Sequence, residues 1–176
     1  YMFEFTSVRD ASTEVLSLAE VRLFDADGVQ LAIQAALNPH GVVVNSLEDV
    51  SKVIDNDLGT KWVDTNFTLH AQLQLILEQP APVVQYDLFT SAGTNAVVPR
   101  RDPTGWRFGI LRDDGSFDIL SVVEGVVPPS ERSTSYGRFY SITPPPPPHS
   151  PPPSPPLPPP SPPRSPPGYP PGMAPP

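Results

Sequence analysis

Arg100-Arg-Asp-Pro-Thr-Gly-Trp-Arg-Phe-Gly-Ile-Leu-Arg-Asp-Asp-Gly115 is the stretch whose reading decides the fold. Trp106 to Leu111 alternates apolar with polar or small residues, the period of a strand with one face on a core. Asp113-Asp-Gly-Ser116 closes that strand with a hairpin turn, and Arg101-Asp-Pro-Thr-Gly105 reads as the turn before it. The same pattern recurs outward. Tyr1-Met-Phe-Glu-Phe-Thr, Leu18 to Phe24, Leu73 to Leu77 and Val83 to Phe89 are short β-rich runs. Asp25 to Gly28, Glu78 to Pro82 and Ser91 to Asn95 are turn-forming clusters between them. Many short strands punctuated in this way predict an all-β jelly-roll β-sandwich. Helix is expected only as one turn around Leu47 to Lys52, with Ser46 as N-cap and Asp49 three residues on.

Of the 28 prolines in 176 residues, 21 follow Thr143, so the chain is two kinds of polymer. Residues 1–143 suffice for one domain with its own core. They hold all 19 acidic side chains and 10 of the 11 basic ones, a net charge of −9 that repels a phosphate backbone, so nucleic acid is not an expected partner. With no cysteine, a disulfide framework, a thiol nucleophile and a zinc-thiolate cluster are excluded. No apolar run approaches the roughly 20 residues of a membrane-spanning helix, and no membrane span is expected. The opening at Tyr1 has no signal-peptide pattern and reads as a mature product or a fragment.

Lys52-Val-Ile-Asp-Asn-Asp-Leu-Gly-Thr-Lys-Trp62 gathers two carboxylates, an amide, a glycine and a hydroxyl ahead of a buried-type tryptophan. Calcium takes six to eight oxygens from such groups and tolerates irregular loops. The competing reading is that Asp55, Asn56 and Asp57 make Asx turns before a strand begun at Trp62. Local spacing leaves both open.

Three motifs in order carry a resemblance. Ile54 to Trp62 resembles the A-x-D-G-x-x-x-T-x-W loop of the discoidin, or coagulation factor 5/8 type C, family of galactose-binding-like domains. Leu73 to Val84 is similar to that family's hydrophobic strand followed by L-x-x-P-x-x-V, and Arg100 to Gly115 to its R-D-P-x-x-W hairpin. The resemblance covers most of residues 1–142. Ser17-Leu-Ala-Glu-Val-Arg-Leu-Phe24 looks like the family's final strand, yet stands near the start, so the order looks circularly permuted. Permutation is cheap when chain ends adjoin, and Tyr1 to Val8 is then expected beside Arg138 to Ile142. The resemblance implies a structural calcium site formed by the carbonyls of Ala19, Lys52 and Asp57, the carboxylates of Glu20 and Asp55, and Thr60. Asn56 stands where the family commonly has glycine, and asparagine tolerates a left-handed backbone better than most residues.

Catalytic signatures are sparse: three histidines, one of them in the tail, and no nucleophile elbow, zinc helix or phosphate loop. Asp102, Asp113, Asp114 and Asp118 as a glycosidase pair compete with their reading as turn residues, which is the stronger one. Trp62 and Trp106 read as core. Asn38, His40, Asn66, Phe67, Asn95 and Arg100 are loop candidates for sugar contacts, with no motif behind them, so the ligand site stays unknown. Asn66-Phe-Thr68 is the only N-x-S/T sequon and is expected to be glycosylated in a secreted chain.

From Pro144 the chain cannot bury a core. Proline fixes φ and removes the amide donor, so residues 144–176 are expected to form a polyproline II rod. The Ser-Pro-Pro repeats resemble hydroxyproline-rich glycoproteins of plant and volvocine green-algal cell walls and flagellar-surface fibres of mastigoneme type. That implies hydroxylation or O-glycosylation at positions such as Pro145, Pro146, Pro147, Ser150, Pro152, Ser154, Pro159 and Ser161. The expected protein is a secreted, non-catalytic matrix or surface-fibre glycoprotein. Its expected partners are other matrix glycoproteins, copies of itself, and cell-wall or surface glycans. Two alternatives stand beside it: a dedicated carbohydrate-binding lectin, and an intracellular protein whose P-x-x-P tail, oriented by Arg164, is an SH3 or WW ligand.

Overall fold

A computed structural model describes residues 1–67 and 71–141, among which the regular structure comprises ten strands and three short 3-10 turns. Strand β1 (Met2–Val8) sits at the centre of a five-stranded antiparallel sheet because it is bonded on both edges. Phe3 pairs with Leu73 of β6 (Ala71–Leu77) on one side and with Phe108 of β8 (Pro103–Leu111) on the other. Beyond β6 lies β4 (Ile33–Leu37), and beyond β8 lies β9 (Phe117–Val123).

A second set of strands faces this sheet. Here β3 (Glu20–Phe24) pairs with β7 (Gln85–Phe89), which pairs with β10 (Phe139–Tyr140). The run just before β3, β2 (Leu16–Leu18), pairs instead with β5 (Trp62–Asp64). The change of partner falls at Ala19, whose N–H donates to the Phe89 carbonyl at 3.0 Å. This residue therefore sets where Glu20 emerges.

Aromatic rings from both layers meet in one core. Phe3 of β1 lies edge-on to Tyr86 of β7 at 5.1 Å, Tyr86 is 4.6 Å from Phe108, and Trp106 meets Phe139 edge-on at 5.1 Å. Trp62, Trp106, Tyr86, Phe3, Phe5 and Phe108 are all fully buried, each contributing about 1.5–3 kcal/mol by removal of apolar surface from water. The polar atoms of Trp106 and Tyr86 are matched to each other: Trp106 Nε1 donates to Tyr86 Oη at 3.0 Å, and that hydroxyl lies 3.1 Å from Ser121 Oγ. The chain is thus mostly β, with its layers packed as a sandwich packs.

The hairpin joining β8 to β9 has the expected turn chemistry. Asp114 Oδ1 accepts from the N–H and hydroxyl of Ser116, and Gly115 takes φ +84°. Opposite Gly109 the register slips by one residue, and a Cβ there would lie 2.1 Å from the Asp118 carbonyl oxygen. Only glycine fits this bulge.

Three expectations are corrected. The turn after residue 45 is capped by Asn45, whose side chain accepts from Leu47 N–H, and the next by Asp49, which accepts from Ser51 N–H. Ser46 lies inside the first turn. Pro103 to Gly105 belongs to β8, and the turn before it is Pro99–Arg101. Helix among the described residues is accordingly three 3-10 turns. The two ends of the described head do adjoin: Tyr1 Oη donates to Ala81 O and accepts from Val83 N–H, while Ser141 bonds Val83 O and Val84 O.

Candidate functional site

The loop after β4 reaches its shape through short-range capping. Asp49 starts the 3-10 turn Val50–Ile54, and Val53, fully buried, fastens that turn to the core. Asp55 then leaves the turn with both carboxylate oxygens engaged by Thr60 Oγ1, at 3.0 and 2.9 Å. The same hydroxyl lies 2.9 Å from the Asp57 carbonyl. Asn56 adopts φ 59°, the left-handed conformation its side chain tolerates, and so aims its N–H at Glu20 Oε2, 3.2 Å away. Trp62, fully buried, closes the loop as the first residue of β5.

Among the six residues implied for calcium, Glu20, Asp55, Asp57 and Thr60 are thereby drawn to one place. Ala19 and Lys52 join by connectivity, one preceding Glu20 and the other three residues before Asp55. The Lys52 ammonium stands 3.5 Å from Asp55 Oδ2. The Asx turns of the competing reading are also present, since Asp57 N–H bonds Asp55 Oδ1 and Gly59 N–H bonds Asp57 Oδ1. The two readings are compatible, because a carboxylate offers about four lone-pair sites.

Glu20 is 1% exposed. Burial pushes its carboxyl up to about 7, and the charges of Asp55 and Asp57 push the same way, while Arg22 and the Asn56 amide pull it down. A buried acid beside two others, one of which is bound to the Thr60 hydroxyl and that hydroxyl to the Asp57 carbonyl, supplies hard oxygen donors of the kind calcium takes. Among the described residues no three acidic or histidine side chains form a ligating cluster. The implied set needs only two carboxylates, the rest being carbonyls and a hydroxyl.

No family model, curated protein or solved structure matches this chain. The discoidin likeness therefore stands on the three ordered motifs, and the loop on its own donor chemistry. One consequence is measurable in the loop itself. Asn56→Ala should cost about 1 kcal/mol through its left-handed backbone, and Asn56→Gly close to nothing. Denaturant midpoints of the two variants check this, and equal losses would refute it.

The other candidates scatter. Phe67 is 4% exposed and cannot be a sugar platform. Asn38 Nδ2 is held by Asp64 Oδ2 at 3.1 Å, Arg100 by Asp10 and Ser12, and Asn95 Oδ1 by Val97 N–H. His40 and Asn66 are exposed. Asp102 begins at one end of β8 and Asp113, Asp114 and Asp118 sit at the other, about 30 Å away along nine residues of strand. The tail candidates Pro145, Pro146, Pro147, Ser150, Pro152, Ser154, Pro159 and Ser161 lie outside the described residues.

Two features had no local signal in the sequence. Asp102 is fully buried, held by Arg132 through two contacts of 2.8 Å and by Arg9 at 3.0 Å. Ser133 Oγ, next to Arg132, donates to the Leu58 carbonyl at 2.7 Å and so ties that segment to the candidate metal loop.

Proposed function

We propose that the chain is a structural extracellular-matrix or surface-fibre glycoprotein: a calcium-stabilised jelly-roll head that docks on glycan or protein partners, carried on a modified polyproline II rod. One observation carries this reading. A closely packed all-β head, whose last described strand is Phe139–Tyr140, leads within four residues into 33 residues that contain 21 prolines and four Ser-Pro-Pro repeats. A chain with 21 fixed φ angles and few amide donors serves as spacer or fibre strand, reaching on the order of 100 Å at about 3.1 Å per residue. Among the described residues no helix is long and apolar enough to cross a membrane. Calcium, on this reading, pins the Asp55–Thr60 loop to β3 through Glu20 and has no catalytic part. The lectin alternative has less behind it, since Phe67 is buried and Arg100 already has an acidic partner.

The test is intact and peptide mass spectrometry of the native protein. Additions of about 16 Da per proline after Pro144, with attached sugars, are the expected result. An unmodified tail would overturn the reading and favour an intracellular proline-rich ligand.

A further inference from the structure

The segment from Gly41 to Leu47 holds four of the twelve exposed large hydrophobics of the described head: Val42 is 51% exposed, Val43 37%, Val44 70% and Leu47 77%. From His40 to Leu47 it has neither charge nor proline, and its three consecutive valines favour strand pairing. Such a window on an exposed loop invites pairing with another chain unless something guards it. The neighbour that lies against it is Asn66.

A buried carboxylate laces the two together. Asp64, 1% exposed, accepts from Val42 N–H at 3.1 Å and Asn66 N–H at 2.9 Å through Oδ1, and from Asn38 Nδ2 at 3.1 Å through Oδ2. Thr65 adds its N–H and hydroxyl, both at 3.0 Å on the Val42 carbonyl. The exposed Asn66 side chain consequently lies along the loop, its Nδ2 3.4 Å from the His40 carbonyl. Nδ2 is the atom an N-linked sugar would occupy, and Asn66-Phe-Thr68 is the sequon that permits it.

We infer that an N-linked glycan on Asn66 covers the Val42 to Val44 loop and keeps it from pairing with another chain. This rests on the secretory reading above. In the transfer, Nδ2 displaces the lipid pyrophosphate, still joined to its lipid, from the anomeric carbon of a lipid-linked oligosaccharide donor. The C–N bond forms as the C–O bond to phosphate breaks, one amide proton passes to a base of the transferase, and the remaining N–H can still face the His40 carbonyl. The first sugars then lie over the valines with their apolar faces, while their hydroxyls present a hydrated surface to any approaching chain. A glycan, unlike a charged residue, guards the loop without placing a charge beside Asp64.

The experiment secretes the full chain from a eukaryotic host that supplies the signal sequence and the transferase, and compares it with Asn66→Gln and with Thr68→Ala, which leaves Asn66 in place. Peptide mass spectrometry reads occupancy, sedimentation velocity reads association, and an apolar-surface dye reads exposure. The expected result is an occupied, monomeric, dye-poor parent, with both variants shifting to larger species and brighter dye. Adding Val43→Ser and Val44→Ser to either variant should return it to monomer. An unoccupied Asn66, or an occupied one whose removal changes neither sedimentation nor dye binding, overturns the inference. Because the host imposes the route, these outcomes test the shield alone, while the native tail's modifications test the secretory reading.

Discussion

Replacing Asp102 with alanine is expected to cost about 3–5 kcal/mol, a large share of the roughly 5–15 kcal/mol that holds a domain of this size together. The carboxylate is fully buried and shared by two guanidinium groups, bidentate with Arg132 and single with Arg9. Taking it away leaves Arg132, itself 17% exposed, as an uncompensated charge. What remains for the two arginines is a set of carbonyls: Pro128 and Pro129 for Arg9, and Pro129 for Arg132. Those dipoles are weaker partners than a carboxylate. The loss should appear in the denaturant midpoint with little change in slope, and in faster amide exchange between residues 126 and 136, which Arg132 and the Tyr136 hydroxyl on Pro103 hold down. Arg9→Ala should cost much less, because its charge leaves with it and Asp102 keeps its bidentate partner. A loss below about 1 kcal/mol for Asp102→Ala would mean that the carbonyls alone satisfy both cations.

That cluster also marks the limit of what the sequence discloses. Arg9 lies 93 residues from Asp102 and Arg132 lies 30 away. An aspartate before proline carries the local signature of a turn, and nothing nearby says that two arginines will fold onto it. The strands divide for similar reasons. Those whose two-residue period survives, such as Met2–Val8 and the Trp106 to Leu111 part of Pro103–Leu111, were legible at once, whereas Pro103 to Gly105 carried the signature of a turn. Phe117–Val123 was not, since the slip opposite Gly109 breaks its alternation. Ile33-Gln-Ala-Ala-Leu37 is alanine-rich and has little strand preference of its own, and it is held as an edge by pairing with β6. At the candidate site Asp55, Asp57 and Thr60 were readable together because only five positions separate the first from the last. Glu20 is 36 residues from its contact with Asn56, and only the family likeness joined the two beforehand. The adjoining ends, which share Ala81 to Val84, are the arrangement a permuted order requires.

Calcium at about 100 times its dissociation constant is expected to stabilise the head by about 2.7 kcal/mol, raising Tm by roughly 8 °C for a domain of this length. The gain should be largest near pH 8. Folded Glu20 titrates at about 7 against an ordinary value of 4.5, so the folded state favours its protonated form. Without metal, that stability is fully present below pH 4.5 and is lost as pH rises through 7. Asp10, Asp49 and Asp114 act oppositely. Hydrogen bonds from Ser12, Ser51 and Ser116 hold them below the ordinary range, and their contribution fades only in stronger acid, near pH 2 for Asp10. Between pH 5.5 and 8 the metal-free head should therefore weaken through Glu20. Calcium binds the ionised form, so it offsets this loss at pH 8 and competes with the proton at pH 5.5. Glu20→Gln separates a ligand from a merely buried acid, because it should abolish the calcium gain while leaving the metal-free head at pH 8 no less stable than the parent. Thermal unfolding in chelator and in millimolar calcium at both pH values reads all four states. A head whose Tm does not move with calcium at pH 8 would reduce the Asp55 to Thr60 loop to its Asx turns.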